Sequence, residues 1–170
     1  MPMKKSIQFS LKPSDFEIET VREKGRDFLK AHGFSDDTVQ TQMTILHQLI
    51  SSGRKFDNLV APKNKIKALI LIEENTIIVE VSRPINESSY SRLDDLDKMI
   101  QSMRRWGYQE PFKPYAIEHR GSSSNNSQDF KTEGLELAKI VYEEGAVLDF
   151  YVSEDKILNL SAVRNLDGEF

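Results

Sequence analysis

The sequence has no cysteine among its 170 residues. This absence excludes disulfide bonds, catalysis by a thiol and zinc sites built on cysteine ligands. It is compatible with a reducing compartment, and we expect the protein to be cytoplasmic.

Long apolar runs are missing as well. No segment approaches the 18 consecutive apolar residues that indicate a transmembrane helix, and residues 1–9 carry a lysine pair without the apolar stretch of a secretory signal. We therefore expect no contact with a membrane.

Charge of one sign is not concentrated anywhere along the chain. The sequence has 23 Lys and Arg against 27 Asp and Glu, a net charge of −4, with the two signs interspersed. Nucleic-acid binding requires a clustered basic surface, so we expect no nucleic acid as a partner.

The remaining composition is that of a globular protein. Apolar residues make up 38% and charged residues 29% of the chain, which is enough apolar mass for one packed core at this length. We expect a single domain over residues 1–170.

Hydrophobic periodicity predicts the elements of that domain. Ser14 and Glu17 form a capping box before the first helix, Asp36 or Asp37 caps the second, and Gly145 is a C-cap position. The predicted elements are a strand around Ile7 and Phe9, helices over 15–31, about 37–53, 90–106 and 132–144, and strands over 65–73, 76–82, 146–152 and 157–163. Arg83-Pro84 is expected to end the third strand, since proline cannot donate to a ladder.

This order predicts an α+β fold: a two-layer sandwich in which one mostly antiparallel sheet carries helices on one face. Residues 107–131 contain two prolines and a Gly/Ser/Asn-rich string. We interpret them as a long flexible loop, because structureless segments of this length are usually functional or mobile.

The element order, with Thr132-Glu133-Gly134-Leu135 opening a helix before a hairpin, resembles the GHKL (Bergerat-fold) ATPases, and most closely the bacterial anti-sigma-factor serine kinases. In that family the second helix carries a Glu and, four residues later, a Mg²⁺-binding Asn. Gln48 and Ser52 stand at these positions. An amide cannot act as a general base, and a serine side chain is too short to replace the Asn without a bridging water.

The family's next motif, Asp-x-Gly-x-Gly, binds adenine through the Asp. The corresponding residues are Val81-Ser82-Arg83-Pro84-Ile85. Arg83 has only donors where the adenine amino group needs an acceptor, and Pro84 and Ile85 are larger than the glycines that admit the base.

The third motif, Gly-x-Gly-Leu, binds phosphate at a helix N-terminus. Thr132, Gly134 and Leu135 align with it, but one glycine is lost and Glu133 introduces a negative charge. A helix N-terminus favours anions, so the junction is either a degenerate phosphate site or an ordinary loop-to-helix glycine without a ligand. The degenerate nucleotide-binding set is therefore Gln48, Ser52, Arg83, Thr132, Gly134 and Leu135.

The resemblance implies two alternatives. The first is a non-catalytic or weakly nucleotide-binding regulator of partner-switching signalling, with no catalytic residues and no cofactor. The second is a divergent ATP-dependent serine/threonine kinase using Mg-ATP. By the same resemblance, the partner would be a STAS-like antagonist protein or a sigma-like factor, and the chain could form a homodimer.

Other polar residues fit structural roles better than chemical ones. The three histidines are too scattered to predict a metal site, and we predict no metal. Asp94, Asp95 and Asp97 complement a helix dipole, Arg104-Arg105-Trp106 fits a helix C-terminus or a small binding patch, and the serines of 122–127 fit a linker or a phosphorylated switch.

Overall fold

A computed structural model of the chain describes residues 4–12, 14–52, 66–85, 90–106, 137–141 and 143–166. Its five strands are β1 (Lys4–Leu11), β2 (Ile66–Glu73), β3 (Thr76–Pro84), β4 (Val147–Val152) and β5 (Ile157–Asn165). Its helices are α1 (Asp15–Ala31), α2 (Asp36–Ser52) and α3 (Tyr90–Trp106), and residues 137–141 are also helical.

The strands form one open antiparallel sheet in the order β1-β2-β3-β5-β4. Together with the helices it makes the predicted two-layer α+β architecture. The two hairpins were predicted from their β-branched residues, and their strands pair as expected. β3 is longer than predicted: it continues through Pro84, which is its last residue and lies opposite Ile157. Proline is tolerated there because it is the last residue of the strand. The N–H that continues the bonding to β5 belongs to Ile85, which donates to the Lys156 carbonyl at 2.9 Å.

One face of the sheet forms the core with the helices. In one register row the five strands contribute Phe9, Ala68, Val81, Leu160 and Phe150, all buried or half-buried apolar residues. The adjacent row on the other face is Gln8, Leu69, Glu80, Ser161 and Asp149, which is mostly polar. The alternation explains why the helices cover one face only.

α1 begins at its predicted cap. The Ser14 hydroxyl accepts the Glu17 N–H at 3.3 Å. The second bond of a capping box, from the Ser14 N–H to the Glu17 carboxylate, is not made, because the Ser14 N–H bonds to the Lys12 carbonyl. The Glu17 carboxylate accepts the Lys12 N–H at 3.0 Å. This bond ties the end of β1 to the first turn of α1.

α2 is capped by Ser35, so the prediction of Asp36 or Asp37 was wrong. The Ser35 hydroxyl accepts the Thr38 N–H at 3.3 Å, and the Ser35 carbonyl accepts the Val39 N–H at 2.9 Å. Both aspartates therefore lie within the first turn, where their charges favour the positive end of the helix.

Helices α1 and α2 pack closely on the sheet at Gly25. A Cβ atom there would lie 2.9 Å from Ile70 Cδ1 and 3.1 Å from Met43 Cε. At the other end of the chain, Gly145 has a φ of +69° and stands four positions after Val141, the last of the helical residues 137–141. The Ala146 N–H bonds to the Ile140 carbonyl. Gly145 thus closes this helix as predicted. Among the described residues, no helix is long and apolar enough to cross a membrane.

Candidate functional site

The candidate site lies where the end of α2 meets the end of β3. Gln48 and Ser52 are four residues apart on α2 and therefore share a side of that helix. Gln48 is half-buried, and Ser52, the last residue of α2, is 3% exposed. The Ser52 hydroxyl donates to the Leu49 carbonyl at 3.2 Å, which turns it back onto its own helix.

β3 brings Arg83 to the same place. The side chain is only 2% exposed, and its Nη2 donates to the carbonyl oxygens of Leu49 at 3.3 Å and Ile50 at 3.0 Å. These carbonyls belong to the last four of the helix, which have no partner within it. α2 has no basic residue in its own last turn, so Arg83 supplies the cation that a helix C-terminus favours.

Arg83 and Ser52 therefore converge on one oxygen atom, that of Leu49. The side-chain groups that meet there are a guanidinium, which only donates, and a hydroxyl that is already donating. Neither supplies a carboxylate to accept the amino group of adenine. Arg83 ties the end of α2 to β3, and Ser52 bonds within the last turn of α2.

Gln48 differs from these two residues. Its Oε1 is buried and accepts no hydrogen bond from the residues that the structure describes. A buried carbonyl oxygen without a partner is costly, and such an atom in a native site is commonly satisfied by a water or a cation. Of the three described candidate residues, Gln48 is the one with a buried polar atom that has no partner among the described residues.

The phosphate side of the candidate site cannot be described in the same way. Thr132, Gly134 and Leu135, together with the predicted loop over 107–131, lie outside the described residues. Ile85, expected to obstruct the adenine base, is 4% exposed and belongs to the hydrophobic core, whereas Pro84 is half-buried.

A second polar cluster was not predicted from the sequence. Glu144 lies beside Thr41 of α2 and Arg164 of β5. Burial, followed by the charge of Glu143, raises the pKa of the Glu144 carboxyl, while the Thr41 hydrogen bond and the Arg164 charge act in the opposite direction. These residues come from three distant parts of the chain, so no local motif announces the cluster.

Two of the other polar candidates make contacts within the fold. His32 caps the end of α1: its N–H bonds to the Leu29 carbonyl, the Gly33 N–H bonds to the Lys30 carbonyl, and the His32 ring lies against Phe28. Asp94 pairs with Lys98 on exposed α3 positions. The first turn of α3 has no acidic residue, so the prediction that Asp94, Asp95 and Asp97 complement the helix dipole was wrong, since the effect is confined to the first turn. Within the ranges that the structure describes, no three His, Asp or Glu side chains come together as a metal site would require.

Comparison with known proteins identifies a fold but no family. No protein-family model matches the sequence, and no curated protein matches it. A solved structure does match: a chain of the SiaB–SiaC complex from Pseudomonas aeruginosa, with a TM-score of 0.61 and 15% sequence identity. The match covers 92% of this chain and 88% of that one. At this identity the likeness shows a shared fold over nearly the whole chain.

Proposed function

We propose that this chain is a regulatory signalling domain that acts through protein–protein contacts and has lost productive ATP chemistry. The observation that carries the proposal is the contact of Arg83 with the Leu49 and Ile50 carbonyls. In the family that the sequence resembles, an adenine-binding carboxylate stands at this position. The position instead holds a buried cation whose donors are used to hold the end of α2.

The proposal of a protein partner is supported by the matched structure, which is a complex of two proteins. A domain with this fold and without a complete catalytic set still offers surfaces for association. By the resemblance, the partner is a STAS-like antagonist or a sigma-like factor in the cytoplasm, and the chain also associates with itself.

One observation favours the alternative of a divergent serine/threonine kinase. The Gln48 Oε1 is a buried acceptor without a partner in the described part of the chain, at the position where the family's catalytic Glu stands. A Mg²⁺ ion or its bound water would satisfy this oxygen, since Mg²⁺ prefers oxygen ligands. In this alternative Gln48 contributes to Mg-ATP binding, but as an amide it cannot accept the proton of the substrate hydroxyl.

Titration calorimetry of the full chain with Mg-ATP and with Mg-ADP separates the two functions. We expect no binding heat above that of dilution for either nucleotide. Saturable heat that Gln48→Ala removes, and that His47→Ala on the exposed neighbouring position preserves, would instead assign nucleotide binding to this site. That result would favour the alternative function, a divergent kinase.

A further inference from the structure

The outer face of the sheet, opposite the described helices, carries a continuous apolar row. The strand register sets five residues side by side across β1, β2, β3, β5 and β4: Ser6, Leu71, Ile78, Val163 and Val147. Leu71, Ile78 and Val163 are half-buried, and Val147 is 42% exposed. The solvent face of an antiparallel sheet is usually polar. The four adjacent apolar side chains therefore indicate a surface that a further contact would cover.

The charges of this face are nearly balanced. They belong to two lysines and three carboxylates: Lys4, Lys67, Glu73, Glu80 and Asp149. Lys4 and Glu73 already pair with each other at 3.4 Å. A partner with a strong charge of either sign would therefore gain little here. For a second copy of this chain, the requirement is that the face be complementary to itself.

On the central strand β3, the two sides of the apolar row complement each other. Glu80 and Thr76 lie two residues to either side of Ile78 and point to the same face. The Glu80 carboxylate is half-buried, and no described residue forms a hydrogen bond or an ion pair with it. The half-buried Thr76 hydroxyl likewise has no partner in the described part of the chain. An unused acceptor and an unused donor thus stand at equal distances from the row.

A two-fold axis along the apolar row uses both groups. It stacks each apolar side chain of the row on its own counterpart, and it places Thr76 of the second copy over Glu80, so that the hydroxyl can donate to the carboxylate. The strands of the two sheets then run nearly aligned, as in a β-sandwich. An axis along β3 would instead oppose the two Glu80 carboxylates, which repel each other.

We propose that two copies of this chain dimerise face to face through the outer face of the sheet, with the two-fold axis along the row of Leu71, Ile78, Val163 and Val147. The inference rests on the proposed function only for its self-association, and it names the surface. Five strands of about seven residues offer a face of roughly 600 Å². A standard interface uses about 800 Å² of each partner, so we expect a reversible dimer.

Sedimentation equilibrium of the full chain tests the surface. We expect a monomer–dimer equilibrium between about 1 and 100 µM, in keeping with the small interface. Ile78→Lys sets two cations against each other on the axis and should weaken dimerisation by at least about tenfold. The matched control is Phe16→Lys, at an exposed apolar position of α1 outside this face, which should leave it unchanged.

Charge substitutions at Thr76 test the direction of the axis. Thr76→Lys places a cation over Glu80 of the second copy and should strengthen dimerisation. Thr76→Asp opposes two carboxylates and should weaken it. If the axis ran along β3, residue 76 would face its own counterpart, so that both variants would weaken dimerisation and contradict the proposed axis.

Cross-linking gives a second reading of the same geometry. Because the chain has no cysteine, Val163→Cys introduces a single thiol in the row, and stacked sheets lie about 10 Å apart, within the span of a short bismaleimide. We expect a covalent dimer from Val163→Cys and none from Phe16→Cys. A strict monomer, or a dimer that Ile78→Lys leaves intact, overturns the proposal. Neither result affects the nucleotide titration or the proposal of a different protein as partner.

Discussion

The Nη2 atom of Arg83 lies 3.0 Å from the carbonyl oxygen of Ile50, although the two residues are 33 positions apart. The bond joins the last turn of α2 to the end of β3 in a buried environment. A strand residue thus completes a helix terminus that has no basic side chain of its own.

Replacing this arginine tests its structural role. Arg83→Met keeps much of the length and apolar stem but removes every donor, so two buried carbonyl contacts with a charged group are lost. We expect the free energy of unfolding to fall by about 1.5–3 kcal/mol, the usual value of such bonds. Urea denaturation measures the change, with Arg26→Met on α1 as a control expected within about 0.5 kcal/mol of the wild type. An equal loss of unfolding free energy in both variants would show that the contacts of Arg83 contribute no more to stability than those of Arg26.

The second prediction concerns Gln42 of α2, whose side chain is fully buried and whose Oε1 and Nε2 have no hydrogen-bond partner among the described residues. A buried amide without hydrogen bonds costs about 1–3 kcal/mol. Gln42→Met has a similar shape and no such requirement, so we expect it to raise the melting temperature by about 2–4 °C for each kcal/mol gained. Gln40→Met, on the exposed side of the same helix, should change it little. Destabilisation by Gln42→Met would indicate that the amide has a partner, such as a buried water.

The sequence predicted the helices and strands well because each shows one clear period. α1 and α3 have the predicted bounds, and both hairpins follow from alternating β-branched residues around short polar turns. The apolar residues of α2 that recur at spacings of three and four are Val39, Met43, Leu46, Leu49 and Ile50, and all five are buried. The structure also buries Thr38, Gln42 and Ile45. α2 contacts α1 as well as β3 and β5, so its buried sector is wider than the single stripe that a surface helix shows.

The candidate site was predictable only in part. The four-residue spacing placed Gln48 and Ser52 together on α2, because helical geometry is local. The contact of Arg83 with α2 depends on how β3 packs against that helix, and the contact of Glu144 with Thr41 depends on a chain separation of about a hundred residues. Neither separation leaves a periodic signal in the sequence.

The third prediction uses Glu80, a half-buried residue on the outer face of β3. Burial raises the pKa of its carboxyl, so the folded protein binds the proton more tightly than the unfolded chain does. Ionised Glu80 therefore reduces stability at neutral pH. This penalty is relieved as the pH falls through the raised folded pKa, and it is absent below the unfolded value of 4.5.

Accordingly, Glu80→Gln should be more stable than the wild type at pH 7, and the difference should disappear as the pH approaches 4. Urea midpoints measured across this range check the sign, with Glu154→Gln at an exposed turn as the control for losing one negative charge. A variant that is less stable than the wild type at pH 7 would contradict the burial argument.

The last prediction tests the loss of nucleotide binding by thermal unfolding. A competent site with a dissociation constant of about 10 µM would, at about 1 mM Mg-ATP, stabilise the fold by roughly 2.7 kcal/mol. For a domain of this size, that gain corresponds to a rise in melting temperature of roughly 5–11 °C. Arg83 and Ser52 are already engaged with the end of α2, so we expect a shift of less than about 1 °C.

Arg83→Asp should not rescue binding. The shorter Asp side chain loses the bonds to the Leu49 and Ile50 carbonyls and leaves an unpaired carboxylate at a buried position, so it should lower the melting temperature. A reproducible rise in melting temperature of more than about 4 °C with Mg-ATP, absent with Mg²⁺ alone, would falsify the proposal of a non-catalytic regulator and favour the alternative of a kinase.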